Sequence, residues 1–292
     1  MLSRTIDFFI AGVQKGGTTA LDHYLRQHSR IQMASVKEAH HFDDEARIDW
    51  SNPHHDGLHG LFDWSVPGVI RGESTPIYSY WPRSLERIAQ YNPRAKLVVA
   101  LRHPTFRAFS HWRMEAKRGY DTLSFEDAIA DRGRQRVREA PEGSHRVFSY
   151  IERGFYREQI RRIFELYPRS QVHFFRTDDL WNSTAETLGH IERFLQLEAQ
   201  LGQRAKQDYV VPIETLSLGQ MSAPVRCALD DIFREDIGDT AALTGLDLSD
   251  WLHLEYAEPM RRSDGAERAS ELDLRRRAGI SALICRDTDP GK

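Results

Sequence analysis

The sequence predicts an α/β fold, an open parallel β-sheet flanked by helices with a P-loop-like turn, in a single domain. Two observations carry this prediction. Short, uniformly apolar runs recur along the chain, each followed by a loop and then a stretch of helical periodicity, which is the alternation of an open α/β sheet. The first run also ends in a glycine-rich turn, GVQKGGTT at residues 12–19, that opens a helical pattern.

The elements follow in order. Phe8–Val13, Lys96–Leu101 and Gln171–Phe175 read as buried strands, and Val69–Glu73 as a fourth that leads into Ser74-Thr75-Pro76. The first three are short apolar runs, as in strands covered on both faces. Helical periodicity is clearest over Thr18–Gln27, Phe106–Lys117, Tyr156–Leu166 and Ala185–Leu195. It fades from about Glu198 to Leu218 and returns in Val225–Ile237, with Val225, Leu229 and Phe233 on one face. Residues 1–257 are expected to form the domain. Residues 258–292 are expected to form an arginine-rich tail, with seven arginines after Pro259, read as solvated or loosely docked, or alternatively as a partner-binding segment.

Composition narrows the function. The 292 residues are 40% hydrophobic and 28% charged, with a net charge of −3. This balance gives no global reason to bind nucleic acid, while leaving room for a local basic cleft for a small polyanion. Cys227 and Cys285, the two cysteines, fit neither a disulfide framework nor a zinc site, and a reducing, cytoplasmic compartment is the simplest expectation. The N-terminal stretch is too short for a signal peptide's apolar core plus cleavage site. No other segment reaches about 18 uninterrupted apolar residues, so no membrane span is expected.

The turn at Gly12 is an anion site by construction. Backbone N–H groups of Lys15 to Thr19 are expected to point at a bound group, the positive helix end adds to them, and Thr18 and Thr19 add hydroxyls and a cap for the helix. The nucleotide triphosphatase loop is G-x-x-x-x-G-K-[ST]. Here Gly12 and Gly17 keep the glycine spacing, but Thr18 holds the lysine position and Lys15 lies three residues early. None of the three apolar runs ends in a metal-holding carboxylate, and Lys96–Leu101 runs into Arg102 instead. Lys15 with Arg102 suits a nucleotide bearing several anionic groups and no obligatory metal.

GVQKGGTTAL resembles the 5′-phosphosulfate-binding loop of sulfotransferases that use 3′-phosphoadenosine 5′-phosphosulfate (PAPS). The likeness is greatest to the heparan-sulfate and related bacterial branch, whose loop reads G-x-x-K-x-G-T-T/R-A-L. The resemblance implies a sulfotransferase fold, PAPS as co-substrate, adenosine 3′,5′-bisphosphate as product and no required metal. It makes Lys15 the residue that stabilises the leaving phosphate and places Gln14, Lys15, Gly16, Gly17, Thr18 and Thr19 around the cofactor. Leu101-Arg102-His103-Pro104-Thr105-Phe106-Arg107-Ala108-Phe109-Ser110 is similar to the family's L-R-x-P-x-x-R-x-x-S, which holds the 3′-phosphate. Arg102 and Ser110 are the implied contacts.

Lys37-Glu38-Ala39-His40-His41-Phe42-Asp43 resembles the family's K/N-E-V/I-x-F-F stretch, whose glutamate is the general base on the acceptor hydroxyl. Glu38 matches that base, which the chemistry requires because a hydroxyl attacks poorly until a base takes its proton. His40 and Asp43 fall on residues that bind or polarise the acceptor. His41 stands where the family usually has phenylalanine, so His40 or His41 could share or replace the base role. A metal site of His40, His41 and Asp43 is the weaker alternative, with no further ligand cluster to support it.

Gly72-Glu73-Ser74-Thr75-Pro76-Ile77-Tyr78 resembles the E-K/S-T-P-x-Y segment that borders the acceptor cleft, implying acceptor contacts for Ser74 and Tyr78 beside His41 and Asp43. Arg153-Gly154-Phe155-Tyr156 is similar to the G-x-Y segment and adds Tyr156 to the cofactor residues. Lys206 and Tyr209 fall where the family places a basic loop over the nucleotide. The expected function is PAPS-dependent O-sulfotransfer, with a carbohydrate or glycolipid acceptor favoured and a peptide tyrosine as the alternative. A P-loop nucleotide kinase or NTPase, and a non-catalytic nucleotide-binding member, are the readings from other classes.

Overall fold

The computed structural model describes residues 4–204 and 220–259. Lys206, Tyr209, Cys285 and the arginine-rich tail lie outside the described residues. In chain order the elements begin β1 (Phe8–Gly12), α1 (Thr18–Leu25), β2 (Ile31–Met33), α2 (Asp56–His59), β3 (Ile70–Ser74) and α3 (Ser84–Tyr91). They continue β4 (Lys96–Leu101), α4 (Pro104–Lys117), α5 (Phe125–Ile129), α6 (Asp131–Arg138), α7 (Tyr156–Leu166) and β5 (Val172–Arg176). The last are α8 (Thr177–Asn182), α9 (Thr184–Phe194), α10 (Leu201–Arg204) and α11 (Ala223–Thr244). No helix among the described residues is long and apolar enough to cross a membrane.

The described residues gather into two compact units, one made of residues 4–102 with 159–204 and the other of 103–158 with 220–259. The first unit holds the sheet. Its five strands are parallel in the order β2-β3-β1-β4-β5. All five residues of β1 are buried, as a central strand covered on both faces requires. Phe8 and Ile10 of β1, Val98 and Ala100 of β4 and Phe175 of β5 share one core with Leu21 and Tyr24 of α1 and Leu188 and Ile191 of α9. Residues of opposite parity serve the other face: Phe9 meets Phe42 and Tyr78 edge-on at 5.6 and 6.5 Å, and Phe174 meets Phe164 of α7. From β1 the chain moves outward to β2, returns through β3 and crosses to β4. The order therefore reverses around β1, and ligands of open α/β sheets bind beyond the carboxyl ends of strands at such a point.

The second unit is helical. Asp230 of α11 accepts a hydrogen bond from Thr105 Oγ1 of α4 at 2.6 Å and pairs with Arg226 at 2.6 Å. Asp236 accepts from the backbone N–H groups of Tyr156 and Arg157 at 2.7 and 3.2 Å, capping the start of α7. α11 ends at Gly245 with φ 75°, the left-handed stop that glycine adopts without penalty.

Candidate active site

The turn after β1 is held from several sides. Val13 N–H donates to Ala100 O at 3.0 Å and Gly16 N–H to Val13 O at 2.9 Å. Thr177 Oγ1 donates to Gly16 O and Arg102 Nη1 to Lys15 O, both at 2.9 Å. A Cβ at Gly16 would lie 2.7 Å from Ala100 O and 2.9 Å from Val13 O, so only glycine lets the turn sit this close to β4. Lys15 takes φ 72° and Gly17 φ 81°. Gly17 is the N-cap of α1 and no side chain caps it, so the hydroxyls of Thr18 and Thr19 do not serve as the expected cap. Thr18 is buried and Thr19 exposed, while Gln14 and Lys15 are half-buried. Because Gly16 N–H is bonded to Val13 O, it is not among the donors available to an anion. The N–H groups of Thr18 and Thr19 have no intrahelical partner by the geometry of a helix start.

Glu38 sits on a second turn, and Glu38 N–H donates to Ser74 O at 2.9 Å. Ser74 is the register partner of Ile10 on β1. The two turns therefore lie at the carboxyl ends of adjacent strands. The following amides are bound by the segment after β3: Ala39 N–H donates to Glu73 Oε1 at 3.2 Å and His40 N–H to Thr75 Oγ1 at 3.4 Å. His41 and Phe42 N–H both donate to Tyr78 OH, at 3.2 and 3.4 Å. Six residues other than glycine have positive φ among the described residues, and Lys15, Glu38 (62°) and His40 (51°) are three of them. Such backbone is uncommon outside glycine and persists only where neighbours hold it.

The charges on the Glu38 turn are arranged in sequence. Lys37 Nζ lies 2.6 Å from Glu38 Oε1, and His40 Nε2 lies 3.7 Å from Glu38 Oε2. His40 Nδ1 is 2.8 Å from Asp43 Oδ2, and Asp43 is fully buried. Burial pushes the Glu38 carboxyl upward, but the His40 imidazolium and the Lys37 ammonium outweigh it and hold the group at about 2. The Asp43 hydrogen bond and the Glu38 carboxylate raise His40 to about 9, so His40 carries its proton at neutral pH. It can polarise and position Glu38 but cannot itself take a proton there.

The residues expected to contact the acceptor sit differently. Asp43 and Tyr78 are 0% exposed and Ser74 2%, so none presents a surface to an incoming hydroxyl compound. Asp43 holds His40, Tyr78 holds the backbone of the turn, and Ser74 lends its carbonyl to Glu38. His41 is also buried, with Nε2 2.8 Å from His55 Nδ1 and its ring edge-on to Phe42 and Trp50. Burial and the neighbouring His55 and His59 lower it to about 4. It is neutral but enclosed, a packing residue rather than a base. No group of three or more potential ligands could hold a metal among the described residues, so His40, His41 and Asp43 do not form the alternative metal site.

Arg102 lies at the end of β4 with its guanidinium 5.6 Å from the Trp181 ring. Its bond to Lys15 O makes it a brace of the first turn as well as a cation beside it. Ser110 and Tyr156 belong to the second unit. Ser110 is half-buried on α4, and Tyr156 is 1% exposed at the start of α7. Sequence reasoning passed over Glu73 and Thr75. Both lie inside the E-S-T-P segment, yet only the fold shows that they bind the Glu38 turn.

Comparison with known proteins agrees with this geometry. A family model described as "Sulfotransferase domain" matches residues 5–224. Heparan sulfate glucosamine 3-O-sulfotransferase 6 of Mus musculus is 28% identical over 191 residues, 65% of this chain and 52% of that protein. Heparan sulfate glucosamine 3-O-sulfotransferase 5 of Homo sapiens is 27% identical over 202 residues, 66% of this chain and 54% of that protein. The chain thus spans about half the length of these curated relatives. A solved sulfotransferase from Alicyclobacillus acidocaldarius has a TM-score of 0.70 at 27% identity, covering 86% of this chain and 100% of its own. Mouse sulfotransferase SULT7A1, solved in complex with PAP, shares the fold at 12% identity and TM-score 0.52, covering 82% of this chain and 87% of its own.

Proposed function

The chain belongs to the sulfotransferase domain family, and from that membership and the two turns we propose that it is a PAPS-dependent O-sulfotransferase acting on a saccharide or glycolipid hydroxyl. The observation that carries the proposal is the pairing of Lys15 and Glu38, each on left-handed backbone, at the carboxyl ends of adjacent strands β1 and β3. The donor set of the first turn fits PAPS. Lys15, the leading N–H groups of α1, the exposed Thr19 and the neighbouring Arg102 are all cations or donors, and residues 12–19 contain no carboxylate. The heparan sulfate enzymes among the relatives support a carbohydrate acceptor.

When bound, PAPS supplies the sulfuryl group, whose bond to the 5′-phosphate oxygen breaks as the bond to the acceptor oxygen forms. Glu38 is ionised at neutral pH and takes the hydroxyl proton. As a weak base, it does so in step with oxygen–sulfur bond formation rather than ahead of it. His40, held protonated by Asp43, keeps Glu38 oriented. Lys15 and the α1 amides would hold the leaving anion, and such donors, set in place by the fold before reaction, are where electrostatic catalysis is most effective. The proposal assigns that charge to Lys15 and the amides rather than to a metal.

An acceptor screen tests this reading. Oligosaccharides, glycolipids and acidic tyrosine peptides are incubated with PAPS and read by mass. The expected result is a gain of one sulfuryl group on a carbohydrate. Modification of the peptides alone would overturn the acceptor class, and modification of nothing, with Mg²⁺-dependent ATP turnover instead, would overturn the activity.

A further inference from the structure

Glu73 is the first residue of the segment that binds the Glu38 turn, and it is an unusual group for the interior of a sheet. It is 0% exposed. Its Oε1 accepts from Ala39 N–H at 3.2 Å and from Thr75 Oγ1 at 2.5 Å. Thr75 Oγ1 in turn accepts from His40 N–H. Glu73 and Thr75 thus bind two consecutive amides that lie between and upon the positive-φ residues Glu38 and His40. Backbone in that region relaxes unless neighbours hold it, and a base is useful only while its carboxylate stays near attack geometry.

We propose that Glu73 is a positioning residue for the transfer reaction, fixing the turn that carries Glu38 and His40 through the Ala39 amide and the Thr75 hydroxyl. This rests on the reading of Glu38 as the base. The charge on Glu73 matters to the role. Ionised, it makes charge-assisted hydrogen bonds to both donors, and its negative charge raises the basicity of nearby carboxylates. Burial holds its carboxyl up at about 7, and Asp43 adds to this while Thr75, the Ala39 amide and Tyr78 oppose it. Among ionisable groups, the Asp43 carboxylate raises it and the Tyr78 hydroxyl lowers it. From β1 its register partner is the uncharged Phe9. Glu73 therefore converts from a neutral to an ionised clamp as pH rises through the neutral range.

The test compares steady-state transfer in the full-length protein for wild type, E38A, E73A and E73Q across pH 6 to 8.5. E73A is expected to lower kcat by about 10- to 100-fold while leaving KM for PAPS within about twofold, as displacement of one catalytic group does. E73Q keeps an oxygen for both donors, so its kcat is expected to stay at the wild type's low-pH plateau at every pH, without the rise across neutrality. If E38A is inactive and E73A has wild-type kcat, the Glu73 assignment is overturned and the base stands. If E38A is active, the base reading itself falls. A rising limb that survives in E73Q, or a wild type with no such limb, also overturns the proposal. Should E73A fail to show thermal stabilisation by adenosine 3′,5′-bisphosphate, T75V replaces it, and a wild-type kcat in T75V overturns the proposal in the same way.

Discussion

Opposing influences meet at Glu38: burial favours its neutral form, while Lys37 and His40 hold it ionised. The result is a carboxylate always ready to accept a proton and never strongly basic. Its neighbour His40 depends on a buried partner, because the Asp43 hydrogen bond is the largest influence keeping it charged. An NMR titration of the wild-type protein is therefore expected to show His40 losing its proton near pH 9. In D43N the transition is expected to move down toward the ordinary histidine value of about 6.5, with kcat falling about tenfold or more as the imidazolium is lost. An unmoved His40 titration in D43N would show that Asp43 is not its anchor. At this scale the sequence was partly legible. The glycine spacing around Lys15 singled it out and the resemblance of residues 37–43 to the family stretch singled out Glu38, but neither could separate a residue that touches substrate from one that holds its neighbour. Ser74 and Tyr78 became supports only through contacts across more than 30 residues of chain, which no local pattern records. Asp43 lies close to His40 in the chain, but its complete burial behind the imidazole is a product of the fold.

Among the elements, legibility followed hydrophobic contrast. β1, β4 and β5 stood out as short apolar runs because burial on both faces favours apolar side chains, whereas β3 reads IRGES and was marked by its place before Thr75-Pro76; each lies within a residue or so of its predicted span. β2 is three residues long, Ile31–Met33, and too short to carry a period. α6 reads DRGRQRVR and buries only Gly133 and Val137, so its sequence looks like solvated coil. α11 runs from Ala223 to Thr244, beyond the predicted Val225–Ile237, because Thr240 and Thr244 are buried there and Thr244 Oγ1 bonds back to Thr240 O at 2.7 Å. The turn after β1 depends on two strands rather than one. Gly16 packs against the backbone of β4, and Arg102 reaches from the end of β4 to Lys15 O. The glycine was visible in the sequence as a turn residue, but its contact with Ala100 was not.

Across the whole molecule, acid stability is the property most exposed to the histidines of the first unit. His41, His55 and His59 are all lowered, each chiefly by burial. A histidine whose folded pKa lies below its unfolded value stabilises fully above the unfolded value and loses that contribution as pH falls toward the folded one. For His41 the window runs from about 6.5 down to about 4, and the loss approaches about 3 kcal/mol when complete. The melting temperature is expected to fall steeply across that window, and less steeply in H41F, where the ring stays apolar. Equal slopes in the two proteins would remove His41 as the cause. The division into two compact units was not legible, since each is assembled from stretches distant in the chain and no composition shift marks their joins.

The central claim is that Lys15 and Glu38 together make this chain a sulfotransferase. It is tested most directly by transfer of labelled sulfuryl group from PAPS to the acceptor found in the screen, comparing wild type with K15A and E38A. Each variant is expected to lose at least about 100-fold in kcat, the scale on which removing one preorganised charge acts. Both are expected to keep the wild-type fold by circular dichroism. Folded variants that transfer at near wild-type rates would contradict the account.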